Sequence, residues 1–314
     1  MRFGVVVSAP DRTAYANAVR HAEALAYDVV LCSDHLDLGG RHFSHFAPIP
    51  ALTFAAAATE RVRVGTSVLN QDLRHPAVVA REAASLDVLS GGRLELGLGA
   101  GWAQAEYRMA GIPFSDPATR TRRFAEYVQV VKGVMCEPAF SFEGEFFRIE
   151  EMPGEPAPLQ MPHPPIMIGA IGPRMLRLAA READIISINL LQTPDPSEQA
   201  LAERVGWVRE AAAARFPEIE LQISLAATIP SDRSPADAVR DEIAAGNPFL
   251  RMLAGKFDVE ALAASPMVLT GSAQEMAEKL AGLHERIGIG AVMAPMPHLE
   301  ALANVIPRLN GANA

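Results

Sequence analysis

The chain has 314 residues, 49% hydrophobic and 21% charged, which is enough apolar material for a sizeable core and excludes a disordered polymer. Its formal net charge of -9 argues against nucleic acid or an anionic membrane as a general partner, since both are held by basic surface. The two cysteines, Cys32 and Cys136, lie far apart and outside any CxxC pattern, and they read as buried free thiols of a reducing compartment. The apolar start, Met1 to Val7, is too short for a signal peptide, and no run of about 18 apolar residues follows. The expectation is a soluble cytoplasmic protein.

Phe3 to Ala9 is a β-rich apolar run closed by Pro10-Asp11, and Thr13 to Ala26 follows with Ala14, Ala18, Ala22 and Leu25 on one helical face. Asp28 to Cys32 is a second short strand that delivers Ser33-Asp34-His35. Pro50 to Thr59 is an alanine-rich helix, and Arg61 to Val68 alternates as a third strand. Pro76 to Leu89 opens a helix with proline where its missing N–H is harmless. The Gly91-Gly92 turn feeds the fourth strand, Arg93 to Leu98. Ala118 to Met135 is a helix with Phe124, Val128, Val131 and Met135 on one face. Phe140 to Ile149 alternates around Gly144 as a hairpin, followed by a proline-dense connector from Pro153 to Pro165.

Regular alternation then resumes. Strands at Pro165–Gly169, Asp184–Ile188, Leu221–Ile229 and Ala291–Ala294 interleave with helices at Pro173–Ala183, Ser197–Phe216, Ala273–Ile287 and Leu299–Leu309. Pro230 to Pro266 reads as an irregular insertion with helical pieces of its own. Eight strand–helix units in one chain predict a closed (β/α)8 TIM barrel of parallel strands, a single domain over residues 1–314 with insertions near 137–164 and 230–266. An open doubly wound sheet with a second domain from about Pro165 is the other arrangement the pattern allows.

In a barrel, chemistry sits just after the strands, at their carboxyl ends. His35 follows Asp34 there; an imidazole beside a carboxylate can hold or move a proton, or it can simply cap its own loop. His42 and His45 lie nearby, but no HxH or HExxH pattern accompanies them, so no metal site is expected. His75, just before Pro76, reads as a helix-start residue. Gly97-Leu98-Gly99-Ala100-Gly101 has G-x-G-x-G spacing, and three strand–helix units precede it, which does not match a dinucleotide fingerprint. Gly169-Ala170-Ile171-Gly172-Pro173-Arg174 leads from a strand into a helix start, a ready phosphate site to which Arg174 adds donors; the plainer reading is an ordinary strand-to-helix turn.

The ordered set of these stretches resembles the luciferase-like flavin and deazaflavin oxidoreductase superfamily. It comprises Ser33-Asp34-His35, Gly65-Thr66-Ser67-Val68, His75 to Glu82, Leu86 to Arg93, Leu96 to Trp102, Glu106-Tyr107, Gly111-Ile112-Pro113 and Gly169 to Arg174. The resemblance spans essentially the whole chain, and the Gly-Leu-Gly-Ala-Gly-Trp stretch is most similar to the coenzyme F420-dependent members. It implies a barrel with insertions near its carboxyl-terminal mouth, a homodimer, and a flavin-like ring bound at the carboxyl ends of the strands. By position, Asp34, His35 and Trp102 would be the catalytic candidates beside the ring and substrate. Ser67-Val68 would be a non-prolyl cis peptide behind the ring. Gly99, Ala100 and Gly101 would line the cofactor tail, while Gly169, Ala170, Ile171 and Gly172, with Arg174, would hold its phosphate. Two departures stand out: Trp102 occupies the place of the glutamate found in sugar-phosphate oxidisers, and Ala103 replaces an asparagine.

The resemblance implies hydride transfer between the C5 of F420 and a small-molecule substrate, with His35 as proton donor and no substrate class legible. The alternative on the same scaffold is an FMNH2-dependent monooxygenase using FMN. Further alternatives are a barrel that binds cofactor without turnover and a metallohydrolase built on His35, His42 and His45. Because the F420 tail carries several carboxylates, a basic mouth is expected, drawn from Arg41, Arg74, Arg120, Arg122, Arg123 and Arg174 or, if those are only solvated helix faces, not from them at all.

Overall fold

The structure, a computed structural model, describes residues 1–37, 46–190 and 192–310, so Arg41, His42 and His45 lie outside the described residues. Eight strands carry the fold: β1 (Arg2–Val6), β2 (Val29–Cys32), β3 (Arg63–Thr66), β4 (Leu94–Gly99), β5 (Ile166–Ala170), β6 (Ile185–Ile188), β7 (Glu220–Ser224) and β8 (Ile289–Pro295). Each pairs in parallel with the next, and β8 returns to β1 with Phe3 opposite Val292, so the sheet is closed. This is the expected (β/α)8 barrel. The closure between β3 and β4 is the thinnest, with Val64 opposite Leu94 and Gly65 opposite Glu95. There the Thr66 hydroxyl bridges the strands, donating to the Gly97 carbonyl and accepting from the Gly97 N–H, both at 2.8 Å.

Strand residues alternate between two surroundings, as the pleat requires. Val30 and Cys32 face the helical layer, while Val29 and Leu31 join Ala291 and Met293 inside the barrel. The interior is filled by pairing large residues with glycines. A Cβ on Gly4 would lie 2.0 Å from Met293 Sδ, and one on Gly65 would lie 2.9 Å from Leu31 Cδ2. The amino-terminal end is plugged by charge: buried Glu95 pairs with Arg2 and, at 2.6 Å, with Arg63, and Arg2 also reaches Glu220 at 2.7 Å. That leaves the carboxyl-terminal end for a ligand.

The helix starts follow from their caps. Asp11, Asp116, Ser197 and Ser272 each accept backbone N–H groups at the starts of Arg12–Ala24, Pro117–Cys136, Glu198–Ala212 and Ala273–Ile287. His75 does the same for Pro76–Leu89, accepting from the Ala77 N–H, which is the helix-start role the sequence indicated. Between β4 and β5 the chain forms Pro117–Cys136 and then an antiparallel hairpin, Ala139–Glu143 with Arg148–Pro153. The hairpin tip folds back on the helix, with Glu126 accepting the N–H groups of Glu145, Phe146 and Phe147.

Three expectations need correction. The seventh strand ends at Ser224, and Ala227–Pro230 is a separate strand pairing in parallel with Val268–Gly271 outside the barrel. Cys136 is exposed, because the last residue of its helix points away from the core; only Cys32 is buried. The closing helix is broken into Leu299–Ala303 and Ile306–Asn310. Gln104–Ala110, to which the sequence reading assigned no element, is helical and ends on Gly111 in the left-handed region. No described helix is long and apolar enough to cross a membrane.

Candidate functional site

The carboxyl ends of β2, β3 and β4 converge on one side of the barrel mouth. Asp34 and His35, adjacent in sequence, do different things there. The Asp34 carboxylate is buried, and its Oδ2 accepts the Asn70 N–H at 3.0 Å and pairs with Arg74 at 2.7 Å. It therefore ties the end of β2 to the segment after β3.

His35 is half-buried, and its Nδ1 lies 3.1 Å from Glu106 Oε2. Glu106 is only 3% exposed, and its Oε1 also accepts the Leu36 N–H at 2.8 Å and the Asp37 N–H at 3.1 Å. One buried carboxylate thus fixes both the loop after β2 and the imidazole upon it. Nε2 makes no hydrogen bond among the described residues. The indole of Trp102, half-exposed, meets the imidazole edge-on with centroids 5.6 Å apart. Glu106 had no assigned role in the sequence reading. The signal for it was present: Ala105-Glu106-Tyr107-Arg108-Met109-Ala110 ahead of Gly111 is a short helix with a glycine stop.

Ser67–Val68 is a cis peptide bond not involving proline, as the resemblance implied. The Val68 side chain stands between two glycines. A Cβ on Gly99 would lie 2.6 Å from Val68 Cγ2, and one on Gly169 would lie 3.5 Å from both Val68 γ-carbons. Gly101, at φ +73, is pressed by Tyr107: a Cβ there would be 1.8 Å from the hydroxyl and 2.7 Å from Asn70 Oδ1. That hydroxyl lies 2.7 Å from Asp72 Oδ2 and 2.9 Å from Asn70 Oδ1. Burial and then the Asp72 carboxylate push the phenol well above its usual range, so it stays protonated. The space beside Gly99 and Gly101 is taken by the protein's own side chains. Ala100, between them, is half-buried and gives its carbonyl to Gln71 at 3.1 Å.

The loop after β5 is different. Gly169, Ile171 and Gly172 are half-buried, Ala170 is buried, and nothing lies within 4 Å of where a Gly172 Cβ would stand. Gly172 starts helix Pro173–Glu182, which has no side-chain cap and no acidic residue in its first turn. Its free N–H groups and positive dipole end are suited to an anion. Arg174, exposed in that first turn, makes no side-chain hydrogen bond or ion pair among the described residues.

The other arginines expected at the mouth are mostly spoken for. Arg74 pairs with Asp34, Arg123 with Asp72 at 2.8 Å and Arg122 with Glu145 at 3.1 Å, while Arg120 lies over the Phe114 ring at 4.1 Å. Among the described residues no three His, Cys, Asp or Glu side chains converge as a metal site.

The family described as luciferase-like monooxygenase matches residues 1–290. The chain is 32% identical over 246 residues to an F420-dependent glucose-6-phosphate dehydrogenase of Nakamurella multipartita, covering 75% of this chain and 70% of that one. It is 30% identical over 189 residues to an FMNH2-dependent dimethylsulfone monooxygenase of Pseudomonas putida, covering 60% of this chain and only half of that protein's length. Among solved structures, an F420-dependent secondary alcohol dehydrogenase in complex with an F420–acetone adduct superposes with a TM-score of 0.80 at 19% identity over 98% of both chains, a likeness of fold.

Proposed function

The chain belongs to the luciferase-like monooxygenase family, and on that premise we propose that it is a coenzyme F420-dependent oxidoreductase moving a hydride between the deazaflavin C5 and a small organic substrate. The observation that carries this reading is the His35–Glu106 pair, an imidazole held by Nδ1 at the barrel mouth with Nε2 unengaged. The F420-dependent relative, aligned over 75% of this chain, supports the choice of cofactor. Trp102 in place of the glutamate of sugar-phosphate oxidisers argues for a substrate other than a sugar phosphate.

The residues present fit such a group. The uncapped helix start at Gly172, with open space before it, suits the phosphate, and Val68 offers an apolar surface behind a planar ring. When bound, the reduced cofactor supplies the hydride. His35 supplies the accompanying proton from Nε2 to the heteroatom of a carbonyl or imine, and recovers it in the reverse direction. Glu106 accepts the Nδ1–H and so holds the ring in one orientation. Asp34 and Arg74 position the chain behind it, and Trp102 borders the substrate side.

The test is a pair of fluorescence titrations of the purified protein with F420 and with FMN. Micromolar or tighter F420 binding with negligible FMN binding is the expected result. The opposite preference moves the protein to FMNH2-dependent oxygenation, the reading favoured by its likeness to the dimethylsulfone monooxygenase. Binding of neither refutes both.

A further inference from the structure

Helices Pro117–Cys136 and Pro173–Glu182 pack side by side on the barrel wall and leave a cleft of about 500 Å³ that starts beside the Gly172 loop. Four arginines line it, Arg122, Arg174, Arg177 and Arg181, over an apolar bed that includes Ala125 and Leu178, and no carboxylate lines it. Arg122 shares its charge with Glu145, but both side chains are more than half exposed, and such a pair exchanges partners readily. Arg174, Arg177 and Arg181 make no side-chain hydrogen bond or ion pair among the described residues. The nearby Glu182 is taken by Lys132 at 3.0 Å.

This arrangement works against the stability of its own helix. Arg174, Arg177 and Arg181 follow i, i+3, i+7 spacing, so they share one face and repel one another. Arg174 also stands at the positive end of the helix dipole, where an acid is favoured and none is present in the first turn. The chain carries 37 acidic residues against 28 basic ones, so an unneutralised cationic row is not a consequence of composition. Local choices that oppose the fold without a structural return mark functional sites.

We infer that this cleft holds an extended polyanion whose phosphate sits at the Gly172 helix start and whose further carboxylates run down the arginine row. Along the helix axis the row extends about 10 Å from Arg174 to Arg181, at the rise of an α-helix. The inference rests on the proposed cofactor: the occupant is the carboxylate-bearing tail of F420, the part that FMN lacks. The arginines then act as the discriminator between the two cofactors, at a distance from the reacting carbon. Arg177 and Arg181 were not among the basic residues singled out from sequence, because they become neighbours of Arg122 only when the two helices pack.

The test compares tail-bearing F420 with its tail-less deazaflavin 5′-phosphate, in the wild type and in the double variant Arg177→Ala, Arg181→Ala, read by fluorescence titration at low and high salt. Two surface arginine–carboxylate contacts predict about tenfold tighter binding of the tail-bearing form to the wild type, weakened by salt. The double variant loses that preference and binds the tail-less form as the wild type does. Both arginines are exposed helical positions, so the unfolding transition is expected to be unchanged. If the wild type binds both forms equally, or the variant keeps the preference, the cleft is not the tail site although the cofactor assignment stands. If the wild type binds neither form, the cofactor assignment and the inference fall together.

Discussion

Replacing Gly101 with alanine tests whether the glycine-rich loop after β4 serves the protein's own packing or a ligand. The residue sits at φ +73, so any side chain there carries a backbone penalty of about 1 kcal/mol. The added methyl would also begin 1.8 Å from the Tyr107 hydroxyl and 2.9 Å from its ζ-carbon, contacts that force the ring to move. Tyr107 is 1% exposed, and moving it removes the hydroxyl from Asp72 and Asn70, leaving a buried acceptor unsatisfied at about 1–3 kcal/mol. The expected loss is about 2–4 kcal/mol in equilibrium urea unfolding, a large share of an ordinary domain's stability. In the Gly101→Ala background, Tyr107→Phe should be less harmful than in the wild type, because it removes the colliding atom. Unchanged stability with weakened F420 binding would refute this reasoning and restore the loop as a lining of the cofactor tail.

The other predictions concern the mouth and the insertion. Glu106→Ala should speed hydrogen exchange at the Leu36 and Asp37 amides, whose acceptor it removes, and lower turnover about tenfold by freeing the His35 ring; unaltered exchange would show that Glu106 does not hold this loop. His35→Ala should lower turnover about a hundredfold or more while leaving cofactor affinity near wild type, and a rate near wild type would remove His35 as proton donor. His298 is 6% exposed, with Nδ1 3.1 Å from the Thr228 carbonyl and Nε2 3.1 Å from Asn247 Nδ2; burial pushes its pKa below the ordinary 6.5. A depressed histidine pKa contributes stability that is fully present above about 6.5 and is lost as pH falls toward the folded value. His298→Gln should flatten the acid limb of a stability-against-pH curve, and an unchanged limb would count against this.

What could be read from sequence follows the range of the interaction involved. Alternating apolar strands and capped helices are local patterns, and the eight units, the Asp116 and Ser272 caps and the His75 helix start are all written within a few residues. Boundaries shifted where tertiary pairing decides. Leu221 to Ile229 is continuous in hydrophobicity, yet the chain leaves the barrel after Ser224 because Ala227–Pro230 pairs with Val268–Gly271, about forty residues later. His35 was legible as a site residue from its place after β2. Its partner Glu106 was not, since the pair lies 71 positions apart in the chain. Asp34 was legible as a carboxylate beside a histidine; its partners, the Arg74 side chain and the Asn70 N–H, were not, because they belong to another strand's loop.

The glycines make the same point about function. A glycine-rich loop at a strand's carboxyl end invites a ligand reading, because a bare backbone permits close approach. In this barrel that approach is made from inside the chain: Val68 comes against Gly99, and Tyr107 with Asn70 against Gly101. Gly172, by contrast, faces open space at a helix start that has neither a side-chain cap nor an acid in its first turn. Where packing accounts for a glycine, no ligand is needed to explain it. Where the local rules are broken without any return in packing, as at Gly172 and along Arg174, Arg177 and Arg181, a ligand supplies the missing partner, and one polyanion would satisfy both.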